Sequence, residues 1–113
     1  MEVKAIGKYI KMGPRKVRLV TEAIKGKPAE TVLTSLRYMP QAAAREVEKV
    51  VRSAVANAEN NYNLSPEDLI IAIATANDGP TARRFRSRAR GRWDRVMRRS
   101  TNITVIVKER EEA

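Results

Sequence analysis

Arginine falls on every second residue from Arg84 to Arg92, and that spacing constrains the fold more than any other feature of the chain. A step of two residues turns about 200° round an α-helix, which would scatter the five cations about its axis. In an extended strand the same step puts them on one face. The positions between them are Phe85, Ser87, Ala89, Gly91 and Trp93, all small or aromatic. Burying unpaired guanidinium groups costs far more than folding returns, so the segment must project from whatever body carries it. Arg83, Arg95, Arg98 and Arg99 complete a block of nine arginines over residues 83–99, with one acid and no lysine.

The flanks of the block say how it is held. Leu69 to Ala76 is an aliphatic run of strand length. Ile103, Val105 and Val107 alternate with Asn102, Thr104 and Ile106, as in a half-buried strand. Asp78-Gly79-Pro80 leads into the block. A hairpin whose stem starts near Leu69 and Val107 has its midpoint near Arg88, and Gly91 offers a site for the reversal. At about 3.3 Å per residue, residues 77–88 reach roughly 35 to 40 Å from the body. Arginine suits such an arm, because its planar fork bonds phosphate bidentately and stacks on bases. Phe85 and Trp93 add stacking surfaces of the kind that meet unpaired bases.

Upstream the pattern is helical. Val3 to Ile10 reads as an extended segment. Gly13-Pro14 opens a first helix, with Pro14 at its first position. Val17, Val20 and Ile24 form its stripe, widened by Leu19 and Ala23. Lys25 in the last turn, a Gly26 cap and Pro28 end it. Pro28 opens a second helix with Ala29, Val32, Leu33 and Leu36 on one face. Pro40 breaks that helix, and a third is expected from Gln41 to about Asn60, with Val47, Val50, Val51, Ala54 and Ala58 inward. Asn60, Asn61 and Asn63 mark its end, and Ser65-Pro66-Glu67-Asp68 reads as a turn with a cap-like serine. The expectation is an α+β fold: a small body of three helices packed on a short antiparallel sheet, with a long protruding β-hairpin arm. At 113 residues this is a single domain, with the body at about 1–78 and 101–113 and the arm at about 79–100.

The net charge is +10 and the pI about 10.5, an excess that favours a polyanionic partner. It is unevenly placed. Residues 1–27 carry +6 and residues 83–99 carry +8, flanking a mildly acidic middle. In the first block Lys4, Lys8 and Lys11 lead into Arg15, Lys16 and Arg18 at the start of a helix, with Lys25 and Lys27 at its end. A helix N-terminus offers free N–H groups and a positive dipole end to an anion, so the cluster is a candidate phosphate site. The chain has no cysteine and no histidine, hence no disulfide, no thiolate nucleophile and none of zinc's preferred nitrogen or sulfur ligands. No metal or other cofactor is expected. No apolar run approaches the roughly 20 residues of a membrane span, and no signal-peptide pattern opens the chain, which makes a cytoplasmic location the expectation.

Five stretches then carry a resemblance: Gly13-Pro14-Arg15-Lys16-Val17-Arg18, Ala54 to Asn61, Asp78-Gly79-Pro80, Arg88-Ala89-Arg90-Gly91-Arg92, and Ile103-Thr104-Val105. In this order, over nearly the whole chain, they resemble the bacterial large-subunit ribosomal protein family conventionally numbered twenty-two. The resemblance implies a structural role in the ribosome, binding of large-subunit ribosomal RNA, and assistance to its assembly. It also implies a body near the mouth of the peptide exit tunnel and a hairpin threading through the RNA. The tip would then be Arg88, Ala89, Arg90, Gly91, Arg92 and Trp93, facing the tunnel. The implied partners are that RNA, neighbouring large-subunit proteins and the nascent polypeptide, with no membrane and no homo-oligomer. The chain departs from the family pattern at Gly13, where serine is usual, at Ser87 (proline) and at Asn102 (histidine). Trp93 replaces a small alanine, and Arg86 replaces an apolar residue.

Two other classes are weighed against this reading. Architectural DNA proteins also use β-ribbon arms, but such arms carry an apolar wedge and work as symmetric dimers. No proline or aliphatic wedge lies between Phe85 and Trp93. Solution mass, and affinity for duplex DNA against ribosomal RNA, separate the two. A metal-dependent nuclease needs clustered carboxylates or a general base. Asp68, Asp78 and Asp94 are dispersed and adjoin turns or cations.

Overall fold

The computed structural model describes residues 2–80, 82–87 and 93–109, with side chains over 2–80 and 99–109. Strand β1 (Glu2–Ile10) is followed by helices α1 (Pro14–Ile24), α2 (Ala29–Tyr38) and α3 (Ala43–Tyr62). Strands β2 (Leu69–Asp78), β3 (Ala82–Ser87), β4 (Trp93–Arg98) and β5 (Thr101–Glu109) complete the chain. Strands β1, β5 and β2 form an antiparallel sheet with β5 central, and β3 and β4 form a separate antiparallel pair. Helix α1 packs on β2, α3 crosses β1 and β5, and α2 lies against α3. This is the expected α+β class.

Alternation along β5 explains the layer. Thr101, Ile103, Val105 and Val107 are buried under the helices, while Asn102, Thr104 and Ile106 face the other way and are half-buried. Small residues on α3, notably Ala44, Ala54 and Ala58, let the helix sit close to the sheet. Closest is Gly7, where a Cβ would stand 2.6 Å from Val50 Cγ2.

Several local expectations need correction. Leu19 is 68% exposed and Ala23 is exposed, so neither widens the α1 stripe. Both lie about 200–240° round the helix from Val17, and the buried face is Pro14, Val17, Val20, Thr21 and Ile24. The Thr21 hydroxyl is satisfied by the Arg18 carbonyl at 3.2 Å. Lys25 is the residue that ends α1 rather than part of its last turn. Gly26 follows at φ +76°, a conformation other residues resist. Its N–H donates to the Ile71 carbonyl at 2.7 Å, joining the loop to β2.

Helix α3 begins two residues after Gln41 and runs to Tyr62, because Asn60 and Asn61 stay helical. Asn63 ends it in the left-handed conformation, and the Leu64 N–H closes back on Ala58. Ser65 does not cap with its hydroxyl; its backbone carbonyl accepts from Asp68 N–H at 3.0 Å.

The hairpin register also shifts. Leu69 pairs with Glu109 and Ile71 with Val107, and a bulge between Ile71 and Ile73 adds a residue to β2. Ser87 pairs with Trp93, and the β3–β4 ladder is symmetric about position 90 rather than Arg88. The reversal expected at Gly91, with the rest of 88–92, lies outside the described residues. The Cα trace measures 63 × 26 × 20 Å.

Candidate nucleic-acid interface

Where the arm joins the body, β1 ends in a bulge, α1 begins, α3 begins, and β4 hands over to β5. The bulge lies between Gly7 and Ile10. It places Tyr9 at φ 60°, a strained conformation for a bulky side chain. The Tyr9 N–H donates to Asn102 Oδ1 at 3.1 Å, which holds the bulge against the central strand. The Thr101 hydroxyl donates to the Met12 carbonyl at 2.7 Å. On the other side, the Gly79 N–H donates to the Ser100 carbonyl at 3.0 Å, and the Ser100 hydroxyl donates to the Pro80 carbonyl. Gly79 is required by this close approach, since a Cβ would lie 2.7 Å from Ser100 Oγ.

These ties enclose a cleft of about 1000 Å³, lined by Lys11, Lys16 and Arg99 together with Tyr9 and Gln41. Neither α1 nor α3 has a side-chain cap, so both helix starts leave first-turn N–H groups without a side-chain acceptor. Arg99 stands 3.4 Å from Asp78 Oδ1 with both side chains about 60% exposed. Solvent screens such a pair, and the other guanidinium donors keep their hydrogen-bonding capacity.

The predicted body residues separate into groups. Lys11 and Lys16 share the cleft with Arg99. Arg15 is exposed on the first turn of α1 but does not line the cleft. Arg18 donates from Nε to the Ala76 carbonyl at 2.9 Å, so part of its guanidinium ties α1 to β2. Lys4 and Lys8 are exposed on β1. Lys25 and Lys27 lie beyond the far end of α1, one helix length or roughly 16 Å from its start, and do not join the cluster.

The bases of the acidic middle behave differently. Arg45 donates to the carbonyls of Leu36 and Met39 at 2.7 and 3.1 Å, closing the end of α2. Lys49 pairs with Glu46, and Arg52 with Glu48. Among the described residues, no lysine of the first block makes an ion pair. Arg45 is thus committed to the fold, whereas Lys4, Lys8, Lys11, Arg15 and Lys16 of the first block are exposed.

On the arm, backbone register alone is described. Directly opposed residues of an antiparallel pair share a face, so positions 84 and 86 fall with 94, 96 and 98. Positions 83, 85 and 87 fall with 93, 95 and 97. The arginine positions therefore divide between two faces, and positions 85 and 93 share one. The side chains of Arg83, Arg84, Arg86, Arg95, Arg98 and Trp93, and all of Arg88, Ala89, Arg90, Gly91 and Arg92, lie outside what the structure describes.

Sequence reasoning missed Tyr9 and Gln41. Tyr9 lies between Lys8 and Lys11, an aromatic among cations like Phe85 and Trp93, so the same rule finds it. Gln41 has no local signal, because only the packing of α3 against β1 brings it to the cleft.

The fold is thus an α+β body with a cation-lined cleft and a paired-strand arm. Among the described residues no cluster of three metal-ligating side chains occurs, and no helix is long and apolar enough to cross a membrane. Comparison with known proteins gives the family. The model of ribosomal protein L22p/L17e matches residues 5–108. The large ribosomal subunit protein uL22 of Clostridium novyi is 51% identical over 110 residues, covering 97% of this chain and 99% of the relative. The uL22 proteins of Roseiflexus sp. and Carboxydothermus hydrogenoformans are 47% and 48% identical over 112 residues, covering 99% of each chain. This chain belongs to the ribosomal protein L22p/L17e family, whose members are structural and not enzymatic.

Proposed function

We propose that this chain, a structural constituent of the large ribosomal subunit and a cytoplasmic protein, binds large-subunit ribosomal RNA and aids its folding and assembly. Residues 1–78 and 101–113 act as an anchoring body, and residues 79–100 as an arm laid along the nascent-peptide exit tunnel. Its partners are that RNA, adjoining large-subunit proteins and, at residues 88–93, the nascent polypeptide; it works as one copy. The observation that carries the reading is that five arginines of the block, Arg83, Arg84, Arg86, Arg95 and Arg98, fall on the β3–β4 pair, which lies between β2 and β5 in the chain. A ribbon pair without its own core gains stability from a partner surface, and a polyanion supplies the charge this one lacks.

The body contacts proposed are Lys4, Lys8, Lys11, Arg15, Lys16, Arg18, Lys25 and Lys27. Those of the arm are Arg83, Arg84, Arg86, Arg88, Arg90, Arg92, Arg95, Arg98 and Arg99. Reconstitution tests the reading. Large subunits assembled with the full chain should incorporate it stoichiometrically, and a variant with Arg84, Arg86, Arg88, Arg90 and Arg92 changed to Ala should incorporate poorly or stall assembly. Wild-type incorporation of that variant would refute the role of the arm.

A further inference from the structure

The cleft beneath the arm holds more than a phosphate needs. At about 1000 Å³ it lies at the upper end of the roughly 300–1,000 Å³ range of small-ligand sites. Beside apolar Met12, Ala42 and Ala43, its lining offers two kinds of recognition group. Lys11, Lys16 and Arg99 supply positive charge, while Tyr9 and Gln41 supply a ring and an amide. Tyr9 is 53% exposed, although a large ring gains most by burial. It is kept there by a bulge at unfavourable φ and by the bond from its N–H to Asn102. The Gln41 side chain is exposed and offers both a donor and an acceptor.

The geometry points to a site for a single unstacked nucleotide. Its phosphate lies among Lys11, Lys16 and Arg99, its base lies on the Tyr9 ring, and the Gln41 amide reaches the base edge. This rests on the RNA-binding reading above and deepens it. An acidic peptide would satisfy the three cations and, through its backbone, the amide, but acidic side chains bring no flat π-face to the ring. A nucleotide in single-stranded RNA brings an anion, a flat π-face and a hydrogen-bonding edge together. Duplex RNA does not fit, because its bases are stacked inward and only its backbone could enter.

The test uses the full chain and purified large-subunit ribosomal RNA carrying 5-iodouridine, which photo-crosslinks to stacked aromatic residues. Irradiation should place a crosslink on Tyr9. Tyr9→Ala should weaken binding about tenfold, and Tyr9→Phe should recover most of that loss, because stacking needs the ring and not the hydroxyl. Lys16→Ala and Arg99→Ala should each weaken binding, and together by less than the product of the two, since both hold one phosphate. Melting temperatures of each variant separate lost binding from lost folding, and the crosslink on the unaltered chain needs no variant.

Crosslinks confined to the arm, with Tyr9→Ala binding as the wild type does, would overturn the inference while leaving RNA binding by the chain intact. A Tyr9→Phe defect equal to that of Tyr9→Ala would also overturn it. Failure of the unaltered chain to bind the RNA would take the broader reading down with it.

Discussion

The Thr101 hydroxyl donates a 2.7 Å hydrogen bond to the carbonyl of Met12, joining the first residue of β5 to the loop between β1 and α1. Thr101 is fully buried and follows directly on the two residues that separate it from β4. The base of the ribbon and the start of the first basic helix are thus held at a fixed separation. Thr101→Val keeps the shape and removes the donor. It should cost about 1–2 kcal/mol, seen as a fall in melting temperature on the order of 5 °C. An unchanged melting temperature would mean that water replaces the hydroxyl at Met12.

Gly7 and Val50 form a second fixed contact, between β1 and α3. Gly7→Ala introduces a Cβ 2.6 Å from Val50 Cγ2, and overpacking of this kind costs about 1–3 kcal/mol. Val50→Ala removes the obstructing methyl. In urea unfolding the double variant should be more stable than the two single losses add up to. Strict additivity would show that the helix moves away without penalty.

Gly13 offers the opposite case. Nothing lies within 4 Å of a Cβ placed there, and the residue is extended at φ −67°, ψ 141°, as an N-cap should be. Gly13→Ser should therefore stabilise the chain by a few tenths of a kcal/mol, measured as a small rise in urea midpoint at constant slope. A loss of stability would mean that the serine hydroxyl cannot reach the N–H groups of the first turn of α1.

The arm predicts a salt dependence. Residues 83–99 carry a balance of +8. If they neutralise about eight phosphates, log affinity for ribosomal RNA should fall with log salt at a slope of roughly −6 to −7. Replacing Arg84 and Arg86 with Ala should make the slope shallower by about 1.5. A wild-type slope near −2 would show that most of these arginines do not meet phosphate.

The readings that held were those fixed by local periodicity. Helix α1 starts at Pro14, α2 follows Pro28, and Ile103, Val105 and Val107 turn to the core. The failures came where a neighbour decides. Leu19 and Ala23 are apolar enough to join a stripe, but the sheet meets α1 on its other side. The midpoint expected near Arg88 lies instead near position 90, because the pairing of β3 with β4 and of β2 with β5 sets the register of the hairpin.

By itself, the order of residues determined that this chain has helices of these lengths, a strand pair flanking an arginine block, and two basic ends around an acidic middle. Such properties depend on the spacing of side chains along one backbone, which a linear reading contains. Tertiary structure alone decided that β1 adds to β5, that Arg18 is drawn partly into the fold, and that Tyr9, Lys11, Lys16, Gln41 and Arg99 meet in one cleft. Those five residues come from four separate stretches, and their meeting depends on how α3 packs across β1 and β5, a contact no local pattern encodes.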